Sequence, residues 1–342
     1  MNTRLKDIAE ATGYSLMTVS LALNPRKSGT RISDATRKKI EAAAQKMNYR
    51  PNMSARILSG GKSKVIGVMF NIVRDGFFTD LVQTIDRALR HHGYTGFYTF
   101  WGSVEEFQRS LEAMHQYNVA GILTGHDIPA DYPNVPVICY GLRHAVYESV
   151  YPRETDLAAC TVEYVLRQGF RKLGFVGAEN NMRRGMTIRN IIREHGLEPV
   201  FFHIGKRDAP PDAGVDMLLK NPDGLPDVLI FGNDQCAVEW MAEIQTRGIR
   251  LPDDMKVIGI NNSSICANVS PRLTSVDFRL TSVDFRLNDL GDLLIRHLIR
   301  RCEEPALPRE DIILPVTIAE RNSCPPRQFP ENKEASDRNF KK

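Results

Sequence analysis

The side chains best placed for recognition chemistry cluster near the start of the chain. Thr18 and Ser20 are short hydroxyls suited to phosphate oxygens, and Leu16, Met17 and, one turn later, Leu21 are apolar groups beside them. Such groups read little on a base edge except the thymine methyl. The chemistry implied is non-covalent recognition of duplex DNA. The motifs of covalent chemistry are missing from the sequence: it has no GxGxxG after a strand, no complete phosphate loop, no GxSxG and no HExxH. Gly61-Lys62-Ser63 imitates the end of a phosphate loop, but Arg56 stands where the leading glycine is required. The eight histidines lack metal-ligand spacing, and His91-His92 fits a helix end. The six cysteines are widely spaced without a CxxC pair, which reads as reduced, buried thiols. The expectation is a non-enzyme with no cofactor and no metal.

These residues need elements to position them. Leu5, Ile8 and Ala9 share a helical face, Gly13 supplies a turn, and Ser15 can cap a second helix whose inner face carries Val19, Ala22 and Leu23. A helix-turn-helix presents the N-terminal residues of its second helix to the major groove. A third helix is predicted from the cap Ser33 through Ile40, Ala43, Ala44 and Met47. Its outer triplet Arg37-Lys38-Lys39 is either a solvated face or a phosphate contact. Pro51 opens a short helix closed by Gly60-Gly61, where Ala55 and Leu58 share a face. Paired with a copy from a second subunit, Leu58 could wedge into the minor groove, whereas the plainer reading is a linker helix.

Charge agrees with this division. Residues 1–62 hold 12 Lys and Arg against 4 Asp and Glu, while the remainder holds 33 against 37. The positive charge is concentrated where phosphates are expected. The N-terminus has no apolar signal core and no stretch long enough to span a bilayer, so a cytoplasmic protein without membrane contact is expected.

From Val65 onward, short apolar runs alternate with amphipathic helices, the pattern of parallel sheets covered on both faces. Strands are predicted at 65–70, 94–100, 121–124, 135–140, 172–176, 200–204, 227–231 and 256–260. Helices are predicted from Phe78 to Leu89, Asp156 to Arg167, up to Gly196, and Gln235 to Arg247. Two βαβ lobes fit this length, with a ligand cleft beyond the carboxyl ends of their strands. By that topology Asn71, Asp75, Phe77 and Phe78 would line the cleft, although a phenylalanine at a helix start is more often core.

Asp7-Ile8-Ala9, Ser15 with Thr18-Val19-Ser20, Leu23-Asn24, Asn48-Tyr49-Arg50-Pro51-Asn52, Ile66-Gly67-Val68, Asn233-Asp234 and Glu320-Arg321 together resemble the lactose repressor (LacI/GalR) family, over residues 3 to about 323. The resemblance implies an all-α helix-turn-helix head on an α/β, two-lobed body like the periplasmic binding proteins, with parallel sheets and Rossmann-like lobes. It implies a bacterial, nucleoid-associated homodimeric transcription factor, a repressor, on a double-stranded, pseudo-palindromic DNA operator. A small-molecule effector, a sugar or related metabolite, would sit between the lobes. The domains are then residues 1–50 (head), 51–62 (hinge), 63–324 (body) and 325–342 (disordered tail). Thr3, Ser15, Asn24, Arg31, Tyr49, Asn52 and Ala55 join the DNA-contact candidates. Arg183, Asn233, Asp234 and Asn261 join the effector candidates. Two other readings remain beside this one: a DNA-binding regulator without effector, and a solute-binding protein, which the basic head and missing signal disfavour.

The chain departs from the family pattern at several places. Leu21 stands where arginine is common, so an operator half-site with at least one T is expected. Met182 stands where sugar-responsive members carry arginine, with Arg183 and Arg184 shifted along, and Asn261 replaces the aspartate after the late strand. Asn233-Asp234 is kept, yet capping the following helix is as good a role for it as ligand contact. Finally, Arg272-Leu273-Thr274-Ser275-Val276-Asp277-Phe278 is repeated at once as residues 279–285. An odd insertion cannot be absorbed by sliding a strand, so one copy is expected to loop out or extend the crossover between lobes. The tail lacks leucine heptads, which leaves a dimer as the simplest assembly.

Overall fold

The computed structural model describes residues 3–23, 32–50, 63–71, 76–129, 132, 135–206, 209–278 and 289–326. The chain divides into two compact units, Met1–Ser63 and Lys64–Lys342. Several expectations lie outside the described residues: Asn24, Arg31, Asn52, Ala55, Leu58 and Asp75, the segment 51–62, the second copy at 279–285, and the tail from 327.

The first unit contains α1 (Leu5–Thr12), α2 (Leu16–Leu23) and α3 (Asp34–Lys46). Gly13 stops α1 because it takes φ +75°, a left-handed conformation costly for a side chain, and its N–H closes on the Ala9 carbonyl at 2.9 Å. Ser15 then accepts from the Thr18 N–H at 3.1 Å, and Ser33 accepts from the Thr36 N–H at 3.2 Å, so both following helices start on hydroxyl caps. Ile8, Val19, Ala22, Ile40 and Ala44 form the core, with Leu5, Ala9, Leu23 and Tyr49 against it. Two of the three outer cations of α3 have intramolecular partners. Arg37 donates to the Ala22 carbonyl at 3.3 Å, and the Lys39 ammonium lies 5.4 Å from the centre of the Tyr14 ring.

The second unit is built on two six-stranded sheets. In the first lobe, β1 (Val65–Asn71) is followed by α4 (Gly76–His91), β2 (Thr95–Trp101), α5 (Val104–Gln116), β3 (Gly121–Thr124), β4 (Val137–Tyr140) and β5 (Glu148–Pro152). The second lobe continues with α6 (Glu154–Arg167), β6 (Leu173–Ala178), α7 (Met182–Glu194), β7 (Phe201–Gly205), α8 (Asp212–Leu219), β8 (Val228–Phe231), α9 (Asp234–Thr246), β9 (Lys256–Ile260) and β10 (Thr274–Asp277). The chain then supplies α10 (Asp289–Glu303) and β11 (Ile312–Leu314) to the first lobe and β12 (Thr317–Ala319) to the second.

The sheet orders are β11-β5-β4-β3-β1-β2 and β12-β10-β9-β8-β6-β7. All pairings are parallel except β10 with β12. Strands such as β3, β4 and β8 are buried along their whole length, which is why they read as unbroken apolar runs rather than alternating ones. On the first lobe α10 lies against α4 at Gly291. A Cβ there would come within 2.6 Å of the Ile85 amide nitrogen, so only glycine allows that approach. Among the described residues the chain passes between lobes at 152–154 and at 314–317. The first copy of the repeated heptapeptide supplies β10, and the second lies outside the described residues.

Candidate functional site

The start of α2 is the feature of the first unit that faces outward with unusual chemistry. Leu16 is 53 % and Met17 71 % exposed, whereas the other large apolar side chains among the described residues of this unit are drawn inward. Leu21 is half-buried. The Thr18 hydroxyl lies 2.9 Å from Ser15 Oγ, so one of the two donates to the other and the acceptor's own O–H stays free for a further acceptor. Thr3 donates to the Met47 carbonyl at 2.7 Å and ties the segment ahead of α1 to the end of α3. Tyr49 packs on the core, where burial raises its phenol above the ordinary value, and it stays protonated. Thr3 and Tyr49 thus position the unit, while Leu16, Met17, Thr18 and Ser20 lie on or beside its open face.

In the second unit, the cleft candidates separate into two groups. Phe77 is buried, stacked on Tyr140 at 6.3 Å and tilted against Phe278 at 5.6 Å. Phe78 makes edge contacts with Phe70 and Phe77. These rings join the two lobes by packing, which is the ordinary role of a phenylalanine at a helix start. Asn233 accepts from the Cys236 N–H at 2.8 Å and is the N-cap of α9.

Asp234 requires a correction. Its carboxylate is fully buried and accepts from the Ser263 N–H at 2.7 Å, Ser263 Oγ at 2.9 Å and Ser275 Oγ at 2.5 Å. No surface is left to offer a ligand. Burial pushes its pKa up to about 6 despite those donors. The group binds α9, the turn after β9 and β10 into one block. Asn261 is also 7 % exposed, with φ +114° and its N–H on the Val276 carbonyl at 3.0 Å. Asn71 is half-buried at the end of β1, and Arg183 is exposed at the start of α7.

The partners of several other residues could not be read from the sequence. Arg184 makes two hydrogen bonds to Glu154, at 3.1 and 3.2 Å, and a third to the Gly232 carbonyl at 2.7 Å, beside Asn233. Arg321 donates to Asn262 Oδ1 at 2.6 Å and to the Leu273 carbonyl at 2.9 Å, while Asn262 Nδ2 donates to Asp277 at 2.7 Å. Asp80 of α4 accepts from the Ser264 N–H at 3.1 Å and the Ser264 hydroxyl at 3.3 Å, linking the lobes polar group to polar group. The Glu320-Arg321 signature was a cue to the second cluster. Nothing in the sequence pairs Asp80 with a serine so far along the chain.

At the carboxyl ends of β6 and β7 lies a cavity of about 90 Å³ lined by His203, Lys206, Asn233, Gln235, Cys236 and Trp240, among others. Burial lowers the His203 pKa, keeping the imidazole neutral as an acceptor and donor together. Ligand pockets usually exceed about 300 Å³, so this recess can take only part of a small molecule. Among the described residues no cluster of His, Cys, Asp and Glu could hold a metal, and no helix is long and apolar enough to cross a membrane.

Two family profiles match parts of the chain. The profile of "Bacterial regulatory proteins, lacI family" matches residues 4–52, and that of "Periplasmic binding protein-like domain" matches residues 162–324. Residues 4–52 thus carry a lacI-family DNA-binding domain, and residues 162–324 a periplasmic-binding-protein-like domain. The chain is 25 % identical over 338 residues to the ribose operon repressor of Escherichia coli K12, covering 94 % of the chain and 99 % of the relative. The lac repressor dimer bound to operator and the anti-inducer ONPF superposes with a TM-score of 0.81 at 22 % identity, over 94 % of this chain and 99 % of that one. The regulator CelR in complex with cellobiose superposes at 0.64 with 18 % identity, over 94 % and 100 %. Each of these matches spans both units of the chain.

Proposed function

We propose that this protein is a sequence-specific DNA-binding repressor that holds a pseudo-palindromic operator as a homodimer, with affinity tuned by a sugar or related metabolite in the interlobe cleft. The observation that carries the DNA assignment is the outward pair Leu16 and Met17 at the start of α2, flanked by hydroxyls on a strongly basic unit. Exposed apolar side chains on so small a unit are retained for contact. Their chemistry selects thymine methyls. The relatives support the wider reading, since one is named for the ribose operon it represses and others were solved with operator DNA and with cellobiose.

Operator mapping across the genome tests the reading and gives the half-site. In the recovered site, replacing the contacted thymines with deoxyuridine is expected to weaken the wild-type protein about tenfold and to leave Met17→Ala nearly unchanged. Half-sites made only of G·C pairs would overturn the methyl-reading proposal.

A second reading, a DNA-binding regulator whose body binds no small molecule, is favoured by Met182, 45 % exposed where an arginine is usual, and by the inward turn of Asp234. Calorimetry against a sugar panel that includes sugar acids separates the two. Heat together with operator release supports an effector, and silence across the panel with no effect on operator affinity supports the second reading.

A further inference from the structure

The repeat is longer than a heptapeptide. Residues 272–280 and 279–287 are the same nine-residue string, Arg-Leu-Thr-Ser-Val-Asp-Phe-Arg-Leu, offset by seven. In the structure the first copy occupies the β10 seat, and almost every one of its positions there has a specific requirement. The Arg272 carbonyl accepts from the Ser323 N–H at 2.9 Å, and Leu273 donates to the Cys266 carbonyl at 2.9 Å. Thr274 Oγ1 donates to the Arg321 carbonyl at 2.9 Å. Ser275 Oγ donates to Asp234 at 2.5 Å, Val276 is fully buried, Asp277 accepts from Asn262, and Phe278 lies on Phe77.

We propose that β10 is a two-register strand: either copy fills the seat, because Arg279 to Phe285 supplies the same side chain at every one of these positions. Sliding by an odd number normally turns a strand's buried side chains outward. Here the slide also replaces each residue by its twin, so the parity objection disappears. Two arrangements of nearly equal energy result, a degeneracy that natural sequences usually avoid.

The two registers differ in where the surplus residues lie. With the first copy seated, ten residues, 279–288, lie in sequence between it and α10. With the second seated, only 286–288 would remain between the strand and α10, and the surplus would fall ahead of β10. Seven residues correspond to roughly 24 Å of contour at about 3.5 Å each, so the length of one interlobe tether depends on the register. Because β10 pairs with β9 on one side and β12 on the other, exchange requires both ladders to open. Openings of that size are sub-global and slow, so the ratio of the two forms is set during folding and persists through ligand binding.

The test uses Val276→Asp, Val283→Asp and the double variant of the full-length chain, in which the altered residue also makes the copies distinguishable by mass. In Val276→Asp, hydrogen exchange read by mass spectrometry is expected to show protection at residues 281–284 and none at 274–277, with the reverse in Val283→Asp. Each single variant should keep a cooperative urea transition, and the double variant should lose at least 100-fold in its folding equilibrium relative to either. If residues 281–284 remain unprotected in Val276→Asp, or if that single variant is as unstable as the double, the second copy cannot take the seat and the proposal fails.

Discussion

Asp234 shows how a conserved-looking polar residue can serve the interior. Its folded-state pKa of about 6 lies above the ordinary value of 3.8. Between these values the folded chain holds a proton that the unfolded chain has released, so stability falls as pH rises from about 4 to about 6 and is level above that. The loss amounts to about 3 kcal/mol at most, taking about 1.4 kcal/mol per unit. Asp234→Asn should remove this component, and urea midpoints of both proteins at pH 4, 5, 6 and 7 check it. Equal slopes would show that Asp234 does not carry the dependence. Arg184 makes the opposite case, a charge satisfied by a charge. Arg184→Ala leaves the half-buried Glu154 and the Gly232 carbonyl unpaired and is expected to cost about 3 kcal/mol. Glu154→Gln, which keeps an acceptor for the guanidinium, should cost clearly less in the same denaturation experiment.

At the scale of elements, legibility followed the strength of the local pattern. The cap residues Gly13, Ser15 and Ser33 and the runs of β1, β3, β8 and β9 could be placed because caps and continuous apolar strands are local signals. The strand β5 could not. It carries Glu148 inside the lobe, where Arg301, His297 at 3.0 Å and the Glu310 N–H at 2.9 Å surround the carboxylate, and a strand pattern does not reveal partners so distant in sequence. The strands β11 and β12 are three residues each, at opposite sheet edges and partly exposed, too short for any periodicity. Asp234 was misjudged for a related reason: strand order places residues near a cleft, but orientation decides which of them face it, and Asp234 faces away. One element contact gives a sharp test. Gly291→Val should force α10 away from α4 and cost on the order of 3 kcal/mol as an overpacking change, read as a lowered Tm, whereas Gly141→Ala, at a left-handed turn with open space around it, should cost only about 1 kcal/mol.

For the whole molecule, charge separation and lobe coupling are the testable properties. The basic first 62 residues predict operator affinity that falls steeply with salt, on the order of 10³-fold between 50 and 200 mM; a shallow dependence measured by fluorescence anisotropy would contradict phosphate-dominated binding. Asp80→Ala removes the polar link to Ser264 while leaving both sheets intact, and is expected to widen the distribution of lobe separations seen by X-ray scattering.

The order in which the chain completes its sheets has a further consequence. The edge strands β11 and β12 come from the short stretch Ile312–Ala319, yet they close different sheets, and β12 covers one flank of β10. During synthesis neither lobe can be finished until this stretch has left the ribosome, so both wait with an unpaired edge while most of the body is already outside. Exposed edges and distant pairings favour slow folding and aggregation. A nascent body of this design depends on protection during translation, and a chain cut short before residue 312 loses a strand from both sheets at once.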